Sequence, residues 1–167
     1  QRVPGHPAAT LAQAKLKATR NDQPAALAAV NALLGQNPNN ADAWLLKGQL
    51  LGPAAGGDAS DAIAAFRSAV AKRPEHVEAN AALIQALMQR GDFAAAATAL
   101  NAMRKAVPSN VLVGYFDALL ALQKGDAARA LELAQQMLRG ANNHAGLLML
   151  AARAELQLNT LEQAEAD

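Results

Sequence analysis

The sequence contains no cysteine, which excludes disulfides, zinc–thiolate sites and cysteine nucleophiles. Aromatic residues make up only 3% of a chain that is 52% apolar, so its core must be built from Ala, Leu, Val, Ile and Met. The 15 Lys and Arg are balanced by 14 Asp and Glu, which gives no electrostatic footprint for nucleic acid or an anionic membrane. No apolar run approaches the length needed to cross a bilayer. Abundant alanine favours helices that approach one another closely.

Prolines and small residues recur with one period. Pro74 and Pro108 are 34 residues apart, whereas Pro38 precedes Pro74 by 36. The two extra residues fall in the Gly-rich stretch 52–57, which also separates two of the recurring alanines. These alanines are spaced by 36, 34, 34 and 34, at Ala26, Ala62, Ala96, Ala130 and Ala164. The prolines and the alanines therefore show the same two-residue insertion at the same place. Their common spacing elsewhere indicates a repeat of 34 residues.

A turn signal repeats in the same phase, at Asn21-Asp22, Gly91-Asp92 and Gly125-Asp126. Gly or Asn suits a left-handed residue that ends one helix, and the following Asp can accept hydrogen bonds from the free amides of the next. Asn159 follows Gly125 by 34 residues, which predicts one more such turn. The pattern predicts helices at 8–20, 23–36, 41–52, 59–73, 77–90, 93–106, 111–123, 127–139 and 145–158, with a further one from Leu161.

The stretch from Asn39 to Pro74 resembles the tetratricopeptide-repeat signature. The matching residues are Trp44, Gly48, Leu51, Ala62, Phe66, Ala69 and Pro74. Lys47 stands where the family has Leu, and Leu51 where it has Tyr. The resemblance implies an all-α, right-handed superhelical solenoid of antiparallel helix pairs, with Trp44 packed near Phe66. It predicts one solenoid over 1–167, with repeats at about 7–40, 41–76, 77–110 and 111–144 and a partial one at 145–167.

A narrower resemblance covers most of the chain from Ala43 to Ala166. The segments WLLKGQLL, YFDALLALQKGDAARALELAQQML and GLLMLAARAELQLNTLEQAEA are similar to the tetratricopeptide lipoproteins of the bacterial PEP-CTERM/exosortase system. That family implies a place in the cell envelope, with exopolysaccharide machinery. The chain begins at Gln1 without a signal peptide, so we expect a fragment of a longer protein, with further repeats. An uncapped apolar C-terminal end can also self-associate.

No motif predicts catalysis, a cofactor or a metal. His76 and His144 are two periods apart, so both are expected at the start of a first helix, where Asn40 and Asn110 stand in other repeats. The Gly52, Gly56 and Gly57 cluster lacks the strand and Gly-Lys-Ser/Thr of a phosphate loop. Arg90-Gly91-Asp92 is the repeat turn. Carboxylate pairs such as Asp58/Asp61, Glu75/Glu78 and Glu162/Glu165 favour helix N-termini.

In the family resembled, the first helix of each pair lines a concave groove that holds ligands. The corresponding positions here include Leu11, Lys15, Leu45, Glu78, Ala81, Leu112, Leu156 and Gln157. We predict as groove residues Gln49, Gln85, Met88, Gln89, Tyr115, Leu119, Leu122, Gln123, Met149 and Arg153. Gln49 and Gln85 stand where the family's carboxylate clamp has Asn, so a chaperone co-factor is not expected. The apolar C-terminal part suits an amphipathic helix or an extended peptide.

The resulting hypothesis is a non-enzymatic scaffold with a protein or peptide partner, without nucleic acid binding or membrane insertion. One alternative is a substrate-recruiting arm of an enzyme whose catalytic domain lies elsewhere. Direct polysaccharide binding ranks lower, because Tyr115 is the only aromatic residue predicted to face the groove. A further alternative is a purely structural role, in which the groove side chains pack within the protein itself.

The repeated alanines give a first test. Ala96→Leu should overpack a helix crossing and lower the free energy of unfolding by about 1–3 kcal/mol, whereas Ala94→Leu should have little effect. Thermal melts of both variants compare them directly. Equal melting temperatures would contradict the repeat register.

Overall fold

The computed structural model describes residues 7–20, 22–52, 59–140 and 145–166, the last range with side chains as far as Asn159. In these ranges all regular secondary structure is α-helical, as predicted. The helices are α1 (Pro7–Thr19), α2 (Gln23–Gln36), α3 (Ala41–Leu51), α4 (Ala59–Lys72), α5 (Val77–Gln89), α6 (Phe93–Ala106), α7 (Val111–Gln123), α8 (Ala127–Leu138) and α9 (Ala145–Ala166).

The chain divides into two compact units, Gln1–Asp92 and Phe93–Asp167. In the N-terminal unit α1 packs on α2, α3 on α4, and the two pairs meet through α2 and α3, with α5 following on α4. In the C-terminal unit α8 packs on both α7 and α9. The predicted third repeat has one helix in each unit. Its pairing, and a single solenoid over 1–167, therefore stay predictions.

The small residues that recur with the repeat are buried, as the register predicts. Ala26, Ala62, Ala96 and Ala130 are each at most 1% exposed, while Ala164 lies outside the described side chains. Helices that cross at about 8–10 Å leave no room for a larger side chain at the contact. Alanine at these positions is therefore a packing requirement.

The predicted turn chemistry is confirmed for the glycines at 91 and 125 and for the aspartates at 22 and 126. Gly91 and Gly125 have φ of 79° and 83°, the left-handed conformation that glycine adopts without steric cost. Asp22 accepts a hydrogen bond from the Ala25 amide, and Asp126 accepts one from the Arg129 amide. These carboxylates satisfy amides at the starts of α2 and α8. Asn21 lies outside the described residues.

The turn predicted at Asn159 is wrong, and so is the separate helix predicted from Leu161. Helix α9 runs without a break from Ala145 to Ala166. A residue with a side chain loses about 1–2 kcal/mol in the left-handed conformation, which glycine does not. With Asn-Thr here in place of the Gly-Asp of the earlier turns, the chain continues its helix.

Helices α3 and α4 approach each other closely at Gly48. A Cβ added at Gly48 would lie only 2.9 Å from Cζ of Phe66 and closer still to two other ring atoms. The glycine thus provides the space that the buried ring occupies. Trp44, expected near Phe66, is half-buried and packs on the cluster that includes Val30, Leu33 and Leu46.

Equivalent side chains of two repeats form a hydrogen bond to the connection that precedes their helix. The indole Nε1 of Trp44 donates to the carbonyl of Pro38 at 2.8 Å. One repeat later, Nδ2 of the buried Asn80 donates to the carbonyl of Pro74 at 2.7 Å. Two different side chains thus make the same link, because both reach back to the turn before their helix.

Two glycine substitutions test the packing of α3 on α4. Gly48→Ala should lower the free energy of unfolding by about 1–3 kcal/mol, because the buried Phe66 ring must move. Gly35→Ala is the control: a Cβ there meets no described atom within 4 Å, and alanine in a helix should stabilise by up to about 1 kcal/mol. Urea unfolding measures both changes. A Gly48→Ala protein as stable as the parent would contradict the close approach.

Candidate functional site

The N-terminal unit contains a polar pocket of about 640 Å³, here called the N-terminal pocket. Three first helices, α1, α3 and α5, contribute to its wall, together with the connection between α4 and α5. Its lining residues are Lys15, Asp42, Leu45, Leu46, Gln49, Arg73, Glu75, His76, Val77 and Glu78. The predicted groove residue Gln49 therefore lies in a pocket, as do Lys15, Leu45 and Glu78.

A charged network forms one side of this pocket. Nη2 of Arg73 donates to Oδ2 of Asp42 at 2.6 Å. The Asp42 Oδ1 lies 3.0 Å from Nε2 of His76, whose Nδ1 lies 3.0 Å from Oε2 of Glu78. Burial raises the pKa of Asp42, but hydrogen bonds and charge from Arg73 and His76 outweigh it, so this pKa lies below its ordinary value of 3.8. Asp42 is therefore ionised at neutral pH.

His76 lies at the start of α5, as predicted, but it does not cap the helix with its side chain. Asn40 and Asn110 accept hydrogen bonds from amides of their own helices. The imidazole of His76 is 6% exposed and faces a carboxylate at each ring nitrogen. A neutral imidazole can donate to only one of the two carboxylates, whereas a protonated one can donate to both. His144 lies outside the described residues.

The sequence analysis missed this network. Asp42 and His76 are 34 residues apart in a repeat of 36, so on successive first helices they lie two positions apart in register. That spacing could have suggested the contact. It could not show that His76 would face Asp42, because the choice depends on how α5 packs beside α3.

In the C-terminal unit, α7 and α9 together line an open cavity of about 430 Å³. Its lining residues are Leu122, Gln123, Arg153, Leu156 and Gln157. These residues and the exposed Met149, one turn before Arg153 on α9, are here called the C-terminal face. Leu122 contributes little to it, since this side chain is 6% exposed and packs with Ala127, Ala130 and Ala154. Gln123 and Arg153 are exposed. This cavity thus brings together three of the predicted groove residues.

Tyr115 belongs to a separate apolar cavity of about 520 Å³, lined by Val111, Leu112, Gly114, Tyr115, Met137, Gly140 and Leu147. Its ring packs edge-on against Phe116, with centroids 5.7 Å apart. Tyr115 and Leu119 are both half-buried against the cluster that includes Leu150. These two predicted groove residues therefore have structural contacts as well as a free surface.

The other predicted groove residues lie on first helices. Gln85 and Gln89 of α5 are exposed and Met88 is half-buried. Met149 of α9 is 67% exposed, which is unusual for so large an apolar side chain. Arg104, by contrast, is bound to the carboxylate of Asp117.

The described side chains provide exposed surfaces on the first helices. Within the described ranges no three His, Asp or Glu side chains are grouped to hold a metal ion. Every fully buried polar side-chain atom there has a hydrogen-bond partner within the protein. The exposed side chains of α7 and α9 remain as the candidate contact surface.

Comparison with protein families accounts for this architecture. Two tetratricopeptide-repeat models match residues 54–118 and 11–51, which together make up more than half of the chain. The chain belongs to the tetratricopeptide-repeat family. Proteins of this fold generally serve as scaffolds for protein–protein interaction. No protein of curated function matches the chain significantly.

Solved structures show the same tetratricopeptide-repeat fold. A repeat protein from Parabacteroides merdae ATCC 43184 has a TM-score of 0.81 and 14% identity, over 99% of this chain and 64% of that one. MamA from Desulfovibrio magneticus RS-1 has a TM-score of 0.69 and 16% identity, over 98% and 97%. An O-GlcNAc transferase mutant from Thermobaculum terrenum has a TM-score of 0.63 and 23% identity, over 82% and 27%. At these identities the likeness shows the fold alone.

The lowered pKa of Asp42 predicts how acid affects this tetratricopeptide-repeat protein. A carboxyl whose pKa is lower in the folded state stabilises above its unfolded pKa, and this contribution disappears as the pH falls through the folded value. Asp42→Asn should therefore lower the melting temperature at pH 7 by a few degrees, about 1 kcal/mol or less because the pair is partly solvent-screened. The difference should shrink below pH 3.8.

Glu75→Gln is the control, since Glu75 lines the same pocket without an ion pair to a described residue. Melting curves of the parent, Asp42→Asn and Glu75→Gln are compared from about pH 2.5 to about pH 7, a range that brackets the titration of carboxyl groups. An equal loss for Asp42→Asn across this range would mean that packing of the amide, and not charge, causes it.

Proposed function

We propose that this tetratricopeptide-repeat protein is a non-enzymatic scaffold that binds a peptide or helix of another protein along its first helices. The observation that best supports this proposal is the exposure of large apolar side chains on one first helix. Met149 and Leu156 of α9 are 67% and 66% exposed and flank Arg153. In a folded monomer, such a row of exposed apolar side chains is a common mark of an interaction site.

The chemistry of the C-terminal face suits a peptide better than a small polar molecule. Burying a Met or Leu side chain stabilises a complex by about 1.5–3 kcal/mol, so Met149 and Leu156 could anchor apolar residues of a partner. The exposed Gln123 can donate to and accept from a peptide backbone. Arginine, as at Arg153, is among the residue types that most often dominate binding energy.

The N-terminal pocket supports the same proposal by different chemistry. Its exposed Gln49 and Glu78 stand beside half-buried Leu45, which combines an apolar floor with polar side chains at the rim. This combination is typical of sites that orient a ligand by a few polar contacts. Each unit by itself thus offers first-helix side chains to a partner.

We further propose a place in a bacterial envelope system for exopolysaccharide or sorted proteins. The likeness of three segments to PEP-CTERM/exosortase lipoproteins supports it. Each helix in the described part of the chain is too short or too polar to cross a bilayer. Fractionation of the producing cells, followed by an immunoblot, tests the location: recovery in the cytosol alone would contradict it.

A second candidate is a substrate-recruiting arm of a larger enzyme. The match to an O-GlcNAc transferase favours it, since this chain covers only 27% of that protein. The structure of Naa15/Naa10 bound to HypK-THB also matches, over 24% of the matched chain. The length and domain content of the native gene product distinguish this candidate from an independent scaffold.

Site-specific photo-crosslinking in the producing cells tests the peptide groove. A photoreactive residue at Met149 should capture a partner protein, because this side chain is exposed on the C-terminal face. A residue at Lys105, exposed in the last turn of α6, is the control and should not. Mass spectrometry identifies the products. Capture of only this chain's own peptides at Met149 would mean that the face is filled internally.

A further inference from the structure

Among the described residues that form the C-terminal face, Arg153 is the one charged side chain. Arg153 lies on α9 four residues after Met149 and three before Leu156, spacings that place all three on one side of the helix. Leu122, Gln123 and Gln157 complete the cavity around it. Arg153 is exposed and forms no salt bridge with a described residue. Its guanidinium therefore stands between two exposed apolar side chains.

The described acidic residues of this unit are directed elsewhere. Asp117 pairs with Arg104, and Glu132 pairs with Arg129. Asp126 caps α8. Glu155 lies two residues from Arg153, which places it on a different side of α9. No described carboxylate of the C-terminal unit is thus in place to neutralise Arg153.

We infer that the partner segment bound at the C-terminal face carries an Asp or Glu flanked by apolar residues, with its carboxylate on Arg153. This inference rests on the proposed peptide-binding function and specifies the ligand of that site. A guanidinium holds a carboxylate with two parallel hydrogen bonds. Neighbouring apolar contacts with Met149 and Leu156 exclude water from the pair and so strengthen it.

Selection from a random dodecapeptide display library tests the inference on the full 167-residue chain. Three proteins serve as baits: the parent, Arg153→Glu and Lys105→Glu. Lys105→Glu is the control, because it reverses a charge of the same sign on α6, outside the C-terminal face. The parent should enrich sequences with an acidic residue between apolar ones. Arg153→Glu should lose that preference in favour of Lys or Arg, and Lys105→Glu should keep it.

Synthetic copies of the enriched peptides give the magnitude by fluorescence anisotropy. Arg153→Gln, which keeps a polar side chain and removes the charge, should weaken binding by roughly fivefold, as expected for a partly exposed ion pair. Circular dichroism confirms that each variant is folded. Replacing the peptide's acidic residue by its amide should weaken binding to the parent equally and leave Arg153→Gln unaffected.

The outcomes separate the two proposals. Enriched peptides without an acidic preference, or equal enrichment by Arg153→Glu, would overturn the acidic ligand and leave the groove proposal standing. Enrichment of no peptide by any bait would count against peptide binding itself, and the acidic ligand would fall with it.

Discussion

The close approach of neighbouring helices is the constraint on which the other features depend. It requires a small residue wherever two helices cross, which is why the described repeat alanines are almost fully buried. At Gly48 the requirement is stricter, since even a methyl group would overlap the Phe66 ring. The small residues do not themselves bury much apolar area. They allow Val, Leu, Ile and Phe on the facing helices to pack together, and this packing supplies the stability.

A fold packed this way leaves its first helices with a free face. Leu122 shows the limit of that freedom, because Ala127 and Ala130 of α8 and Ala154 of α9 cover it almost completely. Met149, Arg153 and Leu156, on α9 two helices later, are exposed. Tetratricopeptide-repeat proteins generally serve as scaffolds for protein–protein interaction.

Electrostatic contacts distinguish repeats that are otherwise similar. Asn40 and Asn110 cap their own helices, whereas His76 in the equivalent place connects Asp42 with Glu78. The two choices have different consequences. An asparagine cap stabilises one helix end, while the His76 contacts couple α3 to α5 and shape the N-terminal pocket between them. The same backbone position thus serves local structure in two repeats and a contact between repeats in a third.

Periodicity by itself determined the helix positions, the buried alanines and the left-handed glycines, because each follows from local propensity and from a regular 34-residue spacing. It failed at Asn159, where an isolated residue type did not suffice to end a helix. The sequence also proposed a row of groove residues by position. Only the tertiary structure decided that Leu122 is buried, that Tyr115 lines a different cavity from Arg153, and that His76 faces two carboxylates. Those outcomes depend on contacts between helices distant in sequence, which a periodic pattern cannot specify.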